Sequence, residues 1–447
     1  MRIKVCDALC GSGKTSACIR MMNEETDKRF IFVTQFLSEV DRIMAKCSSR
    51  GFVTPDNDIR ARKTKLSDLR TLLANGQNIA TTHALFVCCT DEVKELIRKQ
   101  QYVLVLDETV EIMKMAELKQ CDVNLLSYAK VIEKDDETIR WVYDQYEQDD
   151  EDGDGLFWEA VQLSKSKNLL SYKDKYYCWS LPPDLFECFD SVYVLTYMFY
   201  AQLLKGFFDA YGLKYELIGV KKTGEQYEFC SLNEMSRARD LRDKIHILEH
   251  KKLNEIGNRR ADLSYSSYNL HTHRLRGGLE GAMRKNLVNL FRNIFHAPCN
   301  QIMWTVFKGS RAAVSSKGYA GGFVPYNKRA SNDYANRHYL AYCVNNFLRP
   351  WEINFYKEHG ATLNNDAYGL SFLVQWIFRS GIRNGDEIWV YIPSARMRSL
   401  LKQWLDALAE GKDLEPISYK SSRKHGSQSK QKEPDKEIKK EERANEQ

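Results

Sequence analysis

One short stretch near the start of the chain constrains its fold more than any other feature. Residues 8–15, with the sequence ALCGSGKT, follow an apolar strand-like run and open a helical pattern. A glycine-rich turn between a strand and a helix brings backbone N–H groups close to phosphate oxygens, while lysine and threonine suit the terminal phosphates and magnesium. The stretch predicts a nucleoside triphosphate site, with a chance glycine turn as the alternative. Its expected contacts are Gly11, Ser12, Gly13, Lys14 and Thr15, with Thr15 on the metal.

Short β-rich runs alternate with helical stretches along the rest of the chain. In the first half, the runs lie at residues 3–8, 30–34, 78–82, 102–107 and 192–196. In the second half, they lie at residues 244–248, 302–307, 339–343 and 388–392, with a helical stretch at 279–295. This alternation is typical of parallel sheets, and the continuously apolar run at 102–107 indicates a strand covered on both faces. We therefore predict two α/β domains.

The chain divides into three parts by composition and pattern. We expect a first domain at residues 1–233, a second at 234–417 and a disordered charged tail at 418–447, where Lys, Glu, Ser and Gln replace the hydrophobic residues. Residues 149–155, with the sequence DDEDGDG, lie within a segment at 133–155 that has no apolar periodicity. We interpret this segment as an exposed acidic loop, part of an insertion at about 115–190 in the first domain.

The composition excludes several classes of protein. No apolar run reaches the roughly eighteen residues that a membrane-spanning helix needs, and the polar start has no signal-peptide profile. We therefore expect a cytoplasmic protein with no membrane partner. The chain has twelve cysteines but no Cys-x2-Cys pair, so we expect free thiols rather than a zinc site. The net charge of +6 is too small to argue for nucleic-acid binding by itself.

Charged residues outside the glycine-rich stretch complete the chemistry of a triphosphate site. Asp107 and Glu108 end the most apolar strand, where they suit magnesium and the attacking water, respectively. An ordinary acidic loop is the alternative for this pair. Arg379 and Arg383 lie in a helical pattern four residues apart, which predicts that both project from one helix face toward phosphates. Their alternative is a solvated basic face.

The order of these motifs resembles superfamily-two helicases, the DEAD/DEAH-box-like group. Residues 8–15 resemble motif I of that family, 107–110 motif II, 195–197 motif III and 375–383 motif VI. The resemblance implies two RecA-like P-loop NTPase domains with parallel sheets that hold ATP and Mg²⁺ between them. It further implies that Gln375 contacts the nucleotide and that Thr196 couples hydrolysis to movement. The whole pattern looks most like compact helicase-family proteins of bacteriophages or prophages of Gram-positive bacteria.

The same resemblance points to a nucleic-acid face at the ends of two strands. Thr34, Gln35, Thr81, Thr82 and His83 occupy the places of motifs that hold a nucleic-acid backbone in the family. Hydroxyls, amides and backbone N–H groups at such places bind phosphates without reading bases. A purely structural histidine is the alternative for His83. The implied partner is nucleic acid, in the first place single-stranded DNA, and phage replication proteins are further candidates.

These observations together predict an ATP hydrolase that works as a nucleic-acid helicase or translocase in phage DNA replication or recombination. Two alternatives stay open. One is a binding module that the nucleotide switches without unwinding, and the other is an ATPase of the double-strand packaging type. A small-molecule kinase fits less well, because it has no use for a second domain that carries Arg379 and Arg383.

Overall fold

A computed structural model describes most of the chain. The described residues are 2–56, 65–83, 90–108, 112–116, 118–146, 155–165, 168–234, 240–269, 278–327, 333–412 and 417–419. The predicted disordered tail, apart from Ser418 and Tyr419, lies outside them, and so does the acidic run apart from Gly155. Within these ranges, none of the helices combines the length and the apolar character needed to cross a bilayer.

The described residues form sixteen strands, fifteen α-helices and several short 3-10 helices. The strands are β1 (Arg2–Asp7), β2 (Arg29–Thr34), β3 (Ile79–Thr82), β4 (Tyr102–Asp107), β5 (Met113–Met115), β6 (Ile132–Asp135), β7 (Thr138–Trp141), β8 (Leu169–Tyr172), β9 (Tyr176–Ser180), β10 (Ser191–Thr196), β11 (Tyr215–Thr223), β12 (Gln226–Cys230), β13 (Ile245–Leu248), β14 (Ile302–Thr305), β15 (Tyr339–Tyr342) and β16 (Ile388–Tyr391). The α-helices are α1 (Lys14–Glu24), α2 (Leu37–Lys46), α3 (Lys65–Ala74), α4 (Asp91–Gln100), α5 (Gln120–Tyr128), α6 (Trp158–Lys165), α7 (Leu203–Ala210), α8 (Leu241–Lys244), α9 (Lys251–Asn254), α10 (Tyr265–Asn269), α11 (Gly278–Asn289), α12 (Arg311–Val314), α13 (Pro350–Glu358), α14 (Asn365–Ile377) and α15 (Ala395–Glu410).

A seven-stranded sheet forms the core of the first domain. Its order is β12-β11-β1-β10-β4-β2-β3, and all neighbours are parallel except the hairpin partners β11 and β12. The five strands predicted for this half are all present and parallel, which confirms the α/β prediction. Parallel strands end at the same edge of a sheet. The glycine-rich loop after β1 therefore lies at the same edge as the ends of β2, β3, β4 and β10.

The insertion contains a sheet of its own. Strands β5 to β9 form a five-stranded antiparallel sheet in the order β5-β9-β8-β7-β6. The prediction of a loop throughout residues 133–155 was therefore wrong in its first part, where β6 and β7 form a hairpin. The prediction failed because β6 is four residues long and buries only Ile132, which is too short to display an alternating pattern.

The second domain is a smaller α/β unit. Its four-stranded parallel sheet has the order β13-β16-β15-β14, and all four predicted strands are present. The side chains of Trp304, Trp376 and Trp404 are fully buried in its core. The predicted helical stretch at 279–295 forms α11, which continues as a π-helix over Leu290–Ile294. The chain thus folds into two Rossmann/RecA-like domains, while the exact limits given above stay a prediction.

Two segments cross between the domains. Tyr197, which follows β10 of the first domain, packs in the core of the second, where its hydroxyl accepts a hydrogen bond of 3.0 Å from Trp404 Nε1. In the opposite direction, α13 packs against the insertion sheet of the first domain. Trp351 stacks on Tyr176, with ring centroids 5.7 Å apart. Each domain therefore contributes to the core of the other.

A buried ionic network joins the segments that follow β15 and β16 to the start of α14 in the second domain. The Arg396 guanidinium is fully buried and donates hydrogen bonds to Asp366 Oδ1 at 2.7 Å, Asn345 Oδ1 at 2.7 Å and the carbonyl oxygens of Asn346 and Asn365 at 3.0 and 2.7 Å. A buried charge is stable only when it is paired in this way. We therefore assign Asn345 a structural role.

Candidate active site

The glycine-rich loop has a backbone that requires glycine at two positions. Gly11 has φ +83° and Gly13 φ +92°, in the left-handed region that side chains disfavour. The Ser12 amide donates to the Leu9 carbonyl at 3.1 Å and closes the turn. Helix α1 begins at Lys14, and no side-chain hydrogen bond caps it. Its N-terminus therefore points free donors into the loop, as anion binding requires.

The predicted metal residues lie side by side. Thr15 Oγ1 donates a hydrogen bond of 3.2 Å to Asp107 Oδ1. Burial raises the pKa of the Asp107 carboxyl to about 7, and the Glu108 and Glu39 carboxylates add to the rise. Such a site favours a cation. A hydroxyl and one carboxylate suit Mg²⁺, which takes its remaining ligands from phosphates and water. Among the described residues, no cluster of three or more His, Cys, Asp or Glu side chains forms a site enclosed by protein.

Lys14 and Glu108 flank this pair. The Lys14 ammonium donates to the carbonyl oxygens of Ala8 and Leu9 at 2.6 and 3.0 Å, so it must rotate away from its own loop to reach a phosphate. Glu108 has φ +68°, a strained conformation for a residue with a side chain. Strain of this kind is concentrated at functional sites. The Glu108 amide donates to the Leu195 carbonyl at 2.9 Å, which anchors the turn beside β10.

A cleft of about 610 Å³ joins these groups to the second domain. Its walls include most of the predicted nucleotide residues from both domains. They are Gly11, Gly13, Lys14, Thr15, Asp107 and Glu108 from the first domain, and Gln375, Arg379 and Arg383 from the second. A Cβ atom added to Gly11 would lie only 3.8 Å from Arg383 Cγ, so the arginine stem approaches the loop itself.

The predicted helix through the two arginines was wrong. Helix α14 ends at Ile377, whose carbonyl oxygen accepts a hydrogen bond of 2.7 Å from the Ser380 hydroxyl. Arg383 lies in the 3-10 helix Gly381–Asn384, so it does not share a helix face with Arg379. A serine that bonds back to the last turn competes with helix continuation. Both arginines nevertheless line the cleft, because the turn carries them to the same side.

The predicted nucleic-acid residues lie at adjacent strand ends. Thr34 and Thr82 are direct neighbours in the β2–β3 register. Thr34 is 2% exposed and Thr81 5%, so their side chains offer a ligand little surface. Thr82 and His83 are partly exposed, as is Gln35. The last three are therefore better placed for contact than the first two, and all five roles stay predictions.

A second cleft, of about 450 Å³, lies next to the first. Gln35 and Lys114 of the first domain line it together with Asn327 and Arg349 of the second. Gln375 lines both clefts, so ligands bound in the two clefts would share this side chain as part of their walls. The two clefts and their shared glutamine run along the boundary between the domains.

Thr196 lies between the glycine-rich loop and the segment that enters the second domain. Its carbonyl oxygen accepts from the Ala8 amide at 3.1 Å, and its hydroxyl accepts from Gln202 Nε2 at 2.7 Å. Gln202 Nε2 also donates to the Tyr197 carbonyl oxygen at 2.8 Å. These bonds join the loop to Tyr197 and thereby to the core of the second domain.

Several residues that line the first cleft were not predicted from the sequence. They are Cys10, Ser16, Phe36, Ser38, Glu39, Arg42, Tyr227, Asp333 and Phe378. Tyr227 is the most informative of them, because it reaches the loop from strand β12. A turn at Gly224, between two runs of alternating polarity, was the available signal for that hairpin.

Comparison with known proteins gives the chain its family. Residues 239–405 match the protein family described as the YonV C-terminal Rossmann-like domain. The SPbeta prophage-derived uncharacterized protein YonV of Bacillus subtilis (strain 168) is 37% identical over 411 residues, which cover 91% of this chain and 99% of YonV. The chain belongs to the YonV family. The prophage origin of this YonV relative agrees with the predicted type of source.

Solved structures resemble the YonV-family chain only distantly. Xpd4 of S. tokodaii is 12% identical, with 90% of this chain and 94% of that chain covered at a TM-score of 0.47. S. cerevisiae Dbp5 bound to RNA and ADP BeF3 is 11% identical, with 92% and 84% covered at a TM-score of 0.37. These likenesses are too weak to carry an argument.

Proposed function

We propose that this chain is an ATP hydrolase that uses ATP and Mg²⁺ to move along or open nucleic acid, as a helicase or translocase in phage DNA replication or recombination. One observation carries the proposal. The cleft of about 610 Å³ combines a phosphate loop and two carboxylates of one domain with two arginines of the other. A site divided in this way is complete only when the domains approach each other.

Each group in the cleft has a role that its chemistry supports. The loop N–H groups and Lys14 bind the phosphates, while Thr15 and Asp107 would hold Mg²⁺, which would neutralise charge on the terminal phosphates. Glu108 orients the attacking water. Arg379 and Arg383 stabilise the negative charge that develops on the transferred phosphoryl group, and Gln375 contacts the nucleotide beside them.

The coupling to nucleic acid rests on the second cleft and on Thr196. We infer that Gln35, Thr82 and His83 hold the backbone on the first domain, with buried Thr34 and Thr81 supporting these strand ends. Arg349 is a matching contact on the second domain. Hydrolysis loosens the arginine contacts, so the distance between the two backbone contacts changes with each cycle. Thr196 transmits this change, because its hydrogen bonds join the loop to the segment at Tyr197.

Steady-state ATPase measurements at fixed salt test the proposal. The rate is measured with ATP alone and then with single-stranded DNA, duplex DNA or RNA, since backbone binding depends strongly on salt. We expect single-stranded DNA to stimulate turnover and Lys14→Ala to abolish it. Arg383→Ala should lower kcat by about a hundredfold, as removal of a transition-state donor does. Arg242→Ala is the matched control, because Arg242 is exposed, pairs with Asp406 and does not line the cleft.

Three outcomes would contradict a motor that acts on single-stranded nucleic acid. ATPase activity that survives Lys14→Ala would place hydrolysis elsewhere. Nucleotide binding with turnover that no polymer stimulates would favour the nucleotide-switched binding module. Stimulation by duplex DNA alone, without strand displacement, would favour the packaging-type ATPase.

A further inference from the structure

The β11–β12 hairpin projects over the phosphate loop. Strand β11 pairs with β1 only through residues 215–218, and its last five residues pair with β12. Because β11 runs parallel to β1, these five residues extend past the end of β1, where the loop begins. Tyr227, opposite Lys222 near the tip of this hairpin, lines the cleft.

The Tyr227 ring lies directly against the loop. A Cβ atom added to Gly13 would stand 2.1 Å from Tyr227 Cδ1 and 2.3 Å from Cε1, so the ring occupies the space beside that glycine. The side chain is partly exposed, which leaves ring surface open to the cleft. Arg20 of α1 donates a hydrogen bond of 3.4 Å to Glu228 of β12. This bond holds β12 against α1, the helix that follows the loop.

The order of strands gives the direction of a bound nucleotide. Strands β10 and β4 lie on one side of β1, and β11 and β12 lie on the other. Asp107 and Glu108 end β4, so the terminal phosphate faces that side. The opposite end of the nucleotide, its base, then faces the hairpin. Of the other aromatic residues of the cleft, Phe36 follows β2, on the β4 side of β1, and Phe378 is 4% exposed and packs in the core of the second domain.

We propose that Tyr227 is the platform on which the base of the nucleotide stacks. This rests on the proposed function, because it requires a triphosphate in the loop. Stacking uses the face of a ring and is tolerant of the base's hydrogen-bonding pattern. The substrate class is therefore purine nucleoside triphosphates, with adenine and guanine both accepted and the smaller pyrimidines bound less tightly.

Calorimetric titration of the full chain with two ligands tests the platform. The ligands are Mg²⁺-ATP and Mg²⁺-tripolyphosphate, which has the phosphates but no base. We expect Tyr227→Ala to weaken ATP binding by about tenfold, the usual scale of a lost base–aromatic stack, and to leave tripolyphosphate binding unchanged. Tyr227→Phe should bind ATP like the wild type, because the ring face is kept. Tyr128→Ala is the control, since Tyr128 is 89% exposed and lies on the insertion.

The outcomes separate the platform from the phosphate site. If Tyr227→Ala weakened the binding of both ligands equally, the ring would only support the conformation of the loop. If ATP binding were unchanged, the ring would neither stack on the base nor support the loop. Wild-type protein that binds ATP no more tightly than tripolyphosphate would also overturn the platform, while leaving the phosphate site intact. Wild-type protein that binds neither ligand would overturn the proposed function itself. Thermal unfolding of each variant excludes a folding defect as the cause.

Discussion

Replacing Arg396 with methionine measures how far the second domain depends on one buried charge. The guanidinium makes four hydrogen bonds of 3.0 Å or less, and one of them is to the Asp366 carboxylate. Methionine keeps much of the stem but leaves Asp366 buried without its shortest partner. Removing one member of a buried ion pair costs about 3–5 kcal/mol. We expect Arg396→Met to lower the free energy of unfolding by about 3 kcal/mol, the low end of this range, because Arg260 still pairs with Asp366 at 3.0 Å.

The assay is urea unfolding followed by tryptophan fluorescence, to which the fully buried Trp304, Trp376 and Trp404 of this domain contribute. Arg242→Met is the control, because Arg242 forms an exposed ion pair with Asp406 at 3.3 Å. Exposed pairs contribute about 1 kcal/mol or less. Loss of stability in Arg396→Met that equals the loss in the control would refute the reasoning.

The network around Arg396 and Asp366 also makes the free energy of unfolding fall as the pH is lowered. Burial favours the neutral Asp366 carboxyl, but the Tyr419 amide and the Arg396 guanidinium outweigh it and lower the pKa of Asp366. A lowered pKa stabilises the fold above the unfolded value, which is about 3.9 for aspartate. That contribution is lost as the pH falls through the folded value. Wild-type protein should therefore lose more stability on acidification than Asp366→Asn, and equal pH profiles would contradict this.

Two further predictions concern the cleft. Chelation of divalent cations should abolish ATP hydrolysis, and added Mg²⁺ should restore it. Asp107→Asn should raise the Mg²⁺ concentration needed for the half-maximal rate of hydrolysis. If that concentration were unchanged, Asp107 would not be a ligand of the metal. Thr196→Val, which loses the hydroxyl that accepts from Gln202, should hydrolyse ATP at close to the wild-type rate but lose most strand displacement, and a parallel loss of both activities would contradict a coupling role.

The sequence was most informative where side chains are buried on both faces of a sheet. All nine predicted strands are present to within two residues, because runs such as that of β4 are apolar from end to end. The insertion sheet was missed for the opposite reason. Its strands have three to five residues each, and β6 exposes all but one of its side chains. Strands this short do not show the alternation of apolar and polar residues by which a strand is recognised in a sequence.

The candidate site shows the same division between local and distant causes. The glycine-rich loop is local, so its position and its two left-handed glycines follow from the sequence. The end of α14 depends on Ser380 and on the Gly381 amide, which donates to the Arg337 carbonyl at 2.9 Å. Tyr227 reaches the loop only because β11 pairs with β1 across two hundred residues or so. The turn at Gly224 indicates the hairpin, but neither the pairing of β11 with β1 nor the bond from Gly381 to Arg337 has a signature in its own stretch of sequence.

The exchange of segments between the domains has a consequence for how they can be separated. Cutting the chain near residue 234 would strip α13 from the insertion sheet and leave Tyr172 and Tyr176 without the Phe355 and Trp351 rings that cover them. The second half would lose Tyr197 from its core in turn. Neither half is therefore a self-sufficient folding unit. Any motion that opens the cleft must either pivot about these two attachment points or break one of them.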